Sequence, residues 1–287
     1  MKAVFIRRYG GPEVLEYGEF PDPVVGAGDV LVKVAAAGIN PIDIMERSGL
    51  TKDFKPVSFP GVLGWDLSGT VVQVGPDVVG FSIGDKVLAW AYHTYAEFCV
   101  VKAGLLAKVP DGLDLVEAAA LPLVTTTGNQ LVSVATEIKA GQTVLVAGAF
   151  GGVGRSAAFT AKELRARVIA GVLKKQFVAA RRLGADQVVA LDDGDALNAL
   201  APVDAVANTV RGKTAEQLLG KMKPGGIFAS VTGAPANAKD YPSVRVVSYV
   251  FAPGRQDSPR HGPGCELGET CDPDRTKVAS QRRPRGP

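Results

Sequence analysis

Four glycines fall between positions 148 and 154, in the stretch TVLVAGAFGGVGRSAA. The apolar run TVLVA precedes them, and VGRSAAFTAKELRA, amphipathic at helical spacing, follows. Gly151, Gly152, Val153 and Gly154 therefore sit where a strand turns into a helix. Missing side chains let a phosphate approach the backbone, and the first turn of a helix offers it unbonded N–H groups and partial positive charge. Gly154 is placed to let the helix lie close on the strand. The strict G-x-G-x-x-G spacing is not met, because Ala149 stands at its first glycine position. A glycine motif alone is weak; here strand, loop, helix and second strand come in order, which points to a bound nucleotide.

The stretch RVIAGV, read as the second strand, bears on which nucleotide. Chains that bind NAD place an Asp or Glu about 20 residues beyond the loop, where it accepts from the ribose 2′-hydroxyl. That position is near Gly171, and no acid occurs between Glu163 and Asp186. Lys174 and Lys175 follow instead. A 2′-phosphate needs donors and would be repelled by a carboxylate, so NADPH is the expected coenzyme. A lysine pair also suits an ordinary solvated helix start, and the missing acid is the stronger half of the argument. Farther along, Asn208, Thr209 and Val210 close VDAVANTV, and Thr232 closes GGIFASVTG. Ligands of parallel sheets bind outside the carboxyl ends of the strands, so these residues are expected at the coenzyme as well.

The elements that must position these residues read as an α/β fold. From Gln142 on, TVLVAG, RVIAGV, QVVAL, VDAVANTV, GGIFASVTG and SVRVVSYVF alternate with helical stretches such as QFVAARRLGA and TAEQLLGKMKPG. Six apolar strands separated by helices predict a doubly wound parallel sheet covered on both faces. Ahead of it, KAVFIRR, DVLVKVAAAGI, LSGTVVQVG, GDKVLAW and YAEFCVV are short and punctuated by Gly and Pro, which predicts a compact barrel-like or sandwich-like β unit. Pro41 and Asp43 are expected in a loop after its second strand. DLVEAAALPLVTTTGNQLVSVATEI carries helical spacing with few breakers.

After Phe251 the pattern collapses into Pro, Gly and charge, and two of the three cysteines, Cys265 and Cys271, lie there. Such a segment buries too little apolar area to order itself. A natural disordered tail and translation out of frame both account for it.

At 46% hydrophobic and 21% charged residues the chain has a globular composition, and 287 residues set a prior of about two domains. A net charge of +3 is too small to argue for nucleic acid. The stretch MKAVFIRRYGG lacks the apolar core of a signal peptide, and no run approaches about 18 apolar residues. With few cysteines, these features set the expectation of a cytoplasmic protein that does not enter a membrane.

The chain resembles the medium-chain dehydrogenase/reductase superfamily, in its zinc-free quinone oxidoreductase (zeta-crystallin-like) branch. GPEVLEYGEFPDP, VLVKVAAAGINPIDIMERSG, FPGVLGWDLSGTVVQVG, AAALPLVTTTGNQLV, AGQTVLVAGAFGGVG and RRLGAD carry the resemblance, in the family's order. It implies a GroES-like catalytic domain over 1–122 and a Rossmann NADP-binding domain over 123–252, against which 253–287 stands out as an atypical tail. It also implies a final segment that returns to the catalytic domain, and a homodimer. Zinc-dependent relatives carry Cys, then Gly-His-Glu, then a further Cys or acid; here Asn40, Gly64-Trp65-Asp66 and PLVTTTG stand at those places. No metal is therefore expected, and Asp66 is expected as a structural hydrogen-bonding carboxylate.

The resemblance implies hydride transfer from NADPH to a quinone or an α,β-unsaturated carbonyl, with Asn40 and Thr127 facing nicotinamide and substrate as donors. Asp43 takes a positioning or proton-relay role. Read without the resemblance, INPID is a turn whose Asn and Asp cap local backbone. Met45 and Leu191 stand where the branch often has tyrosines. The alternatives are a zinc-free alcohol or enoyl-thioester reductase, and a catalytically impaired NADPH-binding protein.

Overall fold

A computed structural model describes residues 1–248. The expectations for the tail over 253–287, the returning final segment, Cys265 and Cys271 lie outside the described residues. The first part holds strands β1 (Lys2–Ile6), β2 (Glu16–Glu19), β3 (Asp29–Gly38), β4 (Gly61–Val62), β5 (Asp66–Val74), β6 (Lys86–Trp90), β7 (Phe98–Lys102) and β8 (Leu106–Lys108), with helix α1 (Pro41–Ser48) between β3 and β4. They form a three-stranded sheet, β2-β1-β4, and a five-stranded sheet, β7-β3-β5-β6-β8. Every pairing is antiparallel. The larger sheet curls around Val30, Val32, Leu67, Val71, Val87, Ala89, Cys99 and Val101. The short strands β2, β4 and β8 carry too few apolar residues to stand out in sequence.

Pro41 and Asp43 are not in a loop: they open α1. The proline reads as a breaker, but at the first helical position its missing N–H costs nothing and its φ suits the turn. Gly49, at φ +81°, ends the helix.

The stretch of helical spacing around Val116 is divided. It forms α2 (Leu115–Ala118), α3 (Pro122–Gln130) and a wider π turn over Leu131–Ala135. Pro122 cannot supply the N–H that would continue α2, so it starts a new helix. Beyond it lie β9 (Thr143–Ala147), α4 (Gly152–Glu163), β10 (Arg167–Val172), α5 (Phe177–Ala180), β11 (Gln187–Ala190), α6 (Gly194–Asn198), β12 (Val203–Asn208), α7 (Lys213–Leu219), β13 (Met222–Ser230) and β14 (Arg245–Ser248). The helix expected over QFVAARRLGA shrinks to α5 between two 3-10 turns.

The six later strands pair in parallel in the order β11-β10-β9-β12-β13-β14. Counted within the sheet this is 3-2-1-4-5-6, the doubly wound dinucleotide order. Alternation along β9 splits the core: Val144 and Val146 face Ala157, Ala158 and Ala161 of α4, while Leu145 and Ala147 face Leu218, Leu219 and Phe228. Both faces are covered, which explains near-continuous apolar strands. Helix α3 packs along α4 and also touches β5 and β6, so it joins the two sheet systems.

Candidate active site

The glycine loop is held at both ends. Gly148, at φ +80°, and Ala149 both donate backbone N–H groups to the Gly171 carbonyl, at 2.9 and 3.0 Å. Gly151 donates back to Gly148, at 2.9 Å. Helix α4 starts at Gly152 with Gly151 as N-cap and no side-chain acceptor. The N–H groups of its first turn are thus left to water or to a ligand. A Cβ on Gly151 would meet only the Gly148 carbonyl, at 3.4 Å, so the outer side of the loop is open. Arg155, which sequence reasoning passed over, braces this loop: its Nε donates to the Phe150 carbonyl (3.1 Å) and its guanidinium lies 4.4 Å from the Phe150 ring centre.

Gly171 is buried, and a Cβ there would strike Leu191 at 2.8 Å. Its carbonyl anchors the loop, a contribution no sequence motif announces. Lys174 and Lys175 follow β10 on the surface. Two acids from beyond β11 reach this turn: Asp192 accepts the Lys174 backbone N–H at 2.7 Å, and Asp193 lies 3.3 Å from Lys174 Nζ.

Asn208, Thr209, Val210 and Thr232 are brought together at the carboxyl ends of β12 and β13, and their polar atoms bind one another. Asn208, fully buried, donates to the Val210 carbonyl (2.8 Å) and to Ser230 Oγ (3.0 Å). Thr209 Oγ1 donates to the Ala147 carbonyl (2.7 Å), and Thr232 Oγ1 to that of Val210 (2.8 Å). Their side chains shape the strand ends.

Across α3 from the glycine loop lies a buried polar cluster. The Asp43 carboxylate accepts the Asn40 backbone N–H (2.6 Å) and the Tyr95 hydroxyl (2.9 Å). The Asn40 amide donates to Asp66 Oδ2 (2.8 Å), and Asp66 Oδ1 accepts the Leu123 N–H at the start of α3 (2.7 Å). Asp66 is the hydrogen-bonding carboxylate expected from sequence. Burial raises both Asp43 and Asp66 to about 6, against the pull of those hydrogen bonds. The Tyr95 hydroxyl is pushed up by burial and by the neighbouring Asp43 charge. Oδ1 of Asp43 has no partner among the described residues. Thr127 is buried on α3, and the next residue, Gly128, lies so close to the loop that a Cβ would come 2.4 Å from the Val153 carbonyl. Tyr95 carries no spacing signal; only the fold brings it to Asp43.

Where zinc-dependent relatives have histidine, Trp65 donates its indole N–H to Glu46 Oε2 (2.8 Å). Lys55 pairs with the other oxygen of Glu46 and sits 4.4 Å and 4.0 Å from the ring centres of Trp65 and Tyr92. An indole N–H only donates, and His93 Nδ1 is held by the Val62 carbonyl at 2.8 Å. Among the described residues no group of three or more His, Cys, Asp or Glu is placed to hold a metal ion. Removing the ammonium leaves Glu46, 5% exposed, with a poorly compensated charge. Lys55→Ala is expected to cost about 2 kcal/mol, measured by urea unfolding followed by tryptophan fluorescence.

Comparison with known proteins agrees with this architecture. Residues 26–111 match the alcohol dehydrogenase GroES-like domain. The human mitochondrial NAD(P)H oxidoreductase RTN4IP1 is 35% identical over 239 residues, covering 75% of this chain and 60% of the relative. The chain thus spans about 60% of that curated relative's length. The quinone oxidoreductase of Coxiella burnetii superposes with a TM-score of 0.75 at 31% identity, over 88% of this chain and 84% of that one. The Escherichia coli quinone oxidoreductase, solved with NADPH, superposes with a TM-score of 0.74 at 29% identity, over 87% and 81%. With its parallel sheet in the 3-2-1-4-5-6 order and its GroES-like unit, the chain belongs to the medium-chain dehydrogenase/reductase superfamily, in the quinone oxidoreductase branch.

Proposed function

We propose that the protein is an NADPH-dependent oxidoreductase that reduces a quinone or an α,β-unsaturated carbonyl without a metal. In this reading residues 1–122 form the catalytic unit and 123–252 the coenzyme unit. The observation that carries it is the start of α4: an uncapped helix N-terminus, behind a strand of a doubly wound sheet, with Gly151 leaving the outer side of the loop open. The names of its relatives support the same coenzyme and substrate class.

The residues present fit such a coenzyme. Backbone N–H groups of Gly152, Val153 and Gly154 would hold the pyrophosphate, and Lys174 and Lys175 the 2′-phosphate. Gly171 acts indirectly, by fixing the loop. Asn208, Thr209, Val210 and Thr232 would border the nicotinamide half as a rigid rim. Bound NADPH supplies the hydride; the protein supplies orientation and charge stabilisation. Asp66 takes one amide hydrogen of Asn40 and so fixes that side chain, leaving its second N–H for a ligand. Thr127 offers a hydroxyl from α3. A developing oxyanion needs such donors held in place before reaction. Asp43 positions Asn40 through its backbone N–H and Tyr95 through its hydroxyl.

The donor set supports metal-free chemistry, because amide, indole and hydroxyl groups replace imidazole and thiolate. A cytoplasmic homodimer completes the proposal. Cys99, its thiol pushed up to about 12 by burial, suits a structural rather than a reactive role.

The test is a titration of the full chain with NADPH and NADH, followed by turnover with 1,4-quinones and enals. The expected result is tighter binding of NADPH, turnover with one of these acceptors, and activity that survives exhaustive chelation. Binding without turnover would favour the non-catalytic alternative, and tightly held stoichiometric zinc would remove the mechanism.

A further inference from the structure

The end of β10 and the end of β11 lie side by side in the parallel sheet, with Val172 opposite Ala190. Each strand runs into a charged turn, and the two turns meet. Lys174 is bound twice by acids from the neighbouring strand. Its backbone N–H donates to Asp192 Oδ1, and its Nζ lies 3.3 Å from Asp193 Oδ2. The other oxygen of Asp193 is also engaged: Oδ1 accepts the backbone N–H groups of Asp195 and Ala196, both at 3.1 Å, and so caps α6. These bonds and Lys174 hold its carboxyl below the usual range. Lys175 makes no ion pair among the described residues.

We infer that Asp193 is a specificity-determining residue: it holds Lys174 as an internal counter-charge and competes with the coenzyme's 2′-phosphate for that ammonium. The inference rests on the coenzyme reading above and adds a residue to it. The end of β10 is where a doubly wound sheet meets the adenosine ribose. A carboxylate fixed by a helix cap stays in place when the nucleotide leaves, so Lys174 is never an unpaired cation. A phosphate monoester carries about −1.5 to −2 charge against −1 for the carboxylate, so it displaces Asp193 from Lys174. A ribose 2′-hydroxyl does not. Asp193 is already used at both oxygens, and Asp192 spends Oδ1 on the Lys174 backbone N–H. NADH therefore gains nothing from Lys174, and NADPH binds less tightly than the lysines alone would allow.

The test separates charge from cap. Asn is as good an N-cap as Asp, so Asp193→Asn removes the counter-charge while keeping α6. Calorimetric titration of the full chain with NADPH and NADH is the readout. Asp193→Asn is expected to tighten NADPH about fivefold, the range of one exposed ion pair, and to leave NADH unchanged. In a Lys174→Gln background the same change should alter NADPH binding less than about twofold, because no ammonium remains to be freed. An unchanged NADPH affinity, an equal gain for both nucleotides, or a full effect without Lys174 overturns the inference. If the unaltered chain prefers NADPH but Asp193→Asn shows any of these results, only Asp193 loses its role. If the unaltered chain and the variant both prefer NADH or bind neither nucleotide, the coenzyme reading falls with it.

Discussion

Gly154→Ala is expected to lower stability by about 3 kcal/mol and to weaken coenzyme binding at least tenfold. The added Cβ would lie 2.1 Å from the Gly148 carbonyl oxygen, 2.7 Å from its carbon and 2.8 Å from the Ala149 Cα. All three are backbone atoms, so no rotamer change relieves the overlap. Nor can the loop retreat, because Gly148 and Ala149 are tied to Gly171 and the Gly148 oxygen itself accepts from Gly151. The helix must move instead. That lifts Ala157, Ala158 and Ala161 off Val144, Val146 and Ala170, a contact built of small residues with no slack to refill the gap. It also turns the open N–H groups away from the phosphate position, and a shift of about 1 Å there can cost on the order of a hundredfold in turnover. Gly104→Ala is the control: a Cβ there has nothing within 4 Å, and the change should stay within about 0.5 kcal/mol. Thermal melting and NADPH titration of both variants decide the matter. Wild-type melting and affinity in Gly154→Ala would mean that close helix–strand contact does not form the site.

The sequence announces this loop because its demands are local. A missing Cβ, an apolar strand before it and an amphipathic helix after it lie within one short stretch, so periodicity and glycine spacing suffice. The same holds for the six parallel strands, whose apolar runs are needed once both faces are covered. Short antiparallel strands such as β4, where only Gly61 and Val62 pair with Ile6 and Phe5, leave no period to read. Pro41 and Pro122 mislead in opposite directions. One opens a helix where a loop was expected, and the other divides a stretch that carries helical spacing throughout. Both follow from the same missing N–H, and position within the helix decides the outcome. The polar cluster was partly legible: Asn40, Asp43 and Thr127 stand out by type and by resemblance. Tyr95, 52 residues from Asp43, does not. The acids that meet Lys174 stand after β11, because strand neighbours in a doubly wound sheet are set by topology and not by sequence distance. Contacts across the fold are thus where residue types alone run out.

Asp66 shows how much one such contact can carry. It stands opposite Trp90 and Gly38 in the antiparallel sheet, and its two oxygens reach two other elements. One meets Asn40, the N-cap residue of α1; the other meets the Leu123 N–H, an orphan donor in the first turn of α3. Leu121, the N-cap of α3, has no side-chain acceptor, so Asp66 caps that helix from a different sheet system. Both partners donate, and Asn offers one acceptor where the carboxylate offers two. Asp66→Asn therefore trades one acceptor for a donor and is expected to destabilise the fold. That cost varies with pH. Burial pushes the folded carboxyl up to about 6 from its ordinary 3.8, so folding favours the protonated form. The stability this group contributes is full below 3.8 and is lost as pH rises through about 6, roughly 3 kcal/mol for the whole shift. Asn has no such loss. The penalty of Asp66→Asn is therefore expected to be largest near pH 4 and to shrink toward pH 8, by up to about 3 kcal/mol. Urea unfolding followed by fluorescence of Trp65 and Trp90 gives the difference directly at each pH. A penalty that grows with pH would mean that the hydrogen bonds to the charged form outweigh burial. Asp66 would then be an ionised cap throughout, and the cluster beside the proposed substrate site would hold one more negative charge near pH 5.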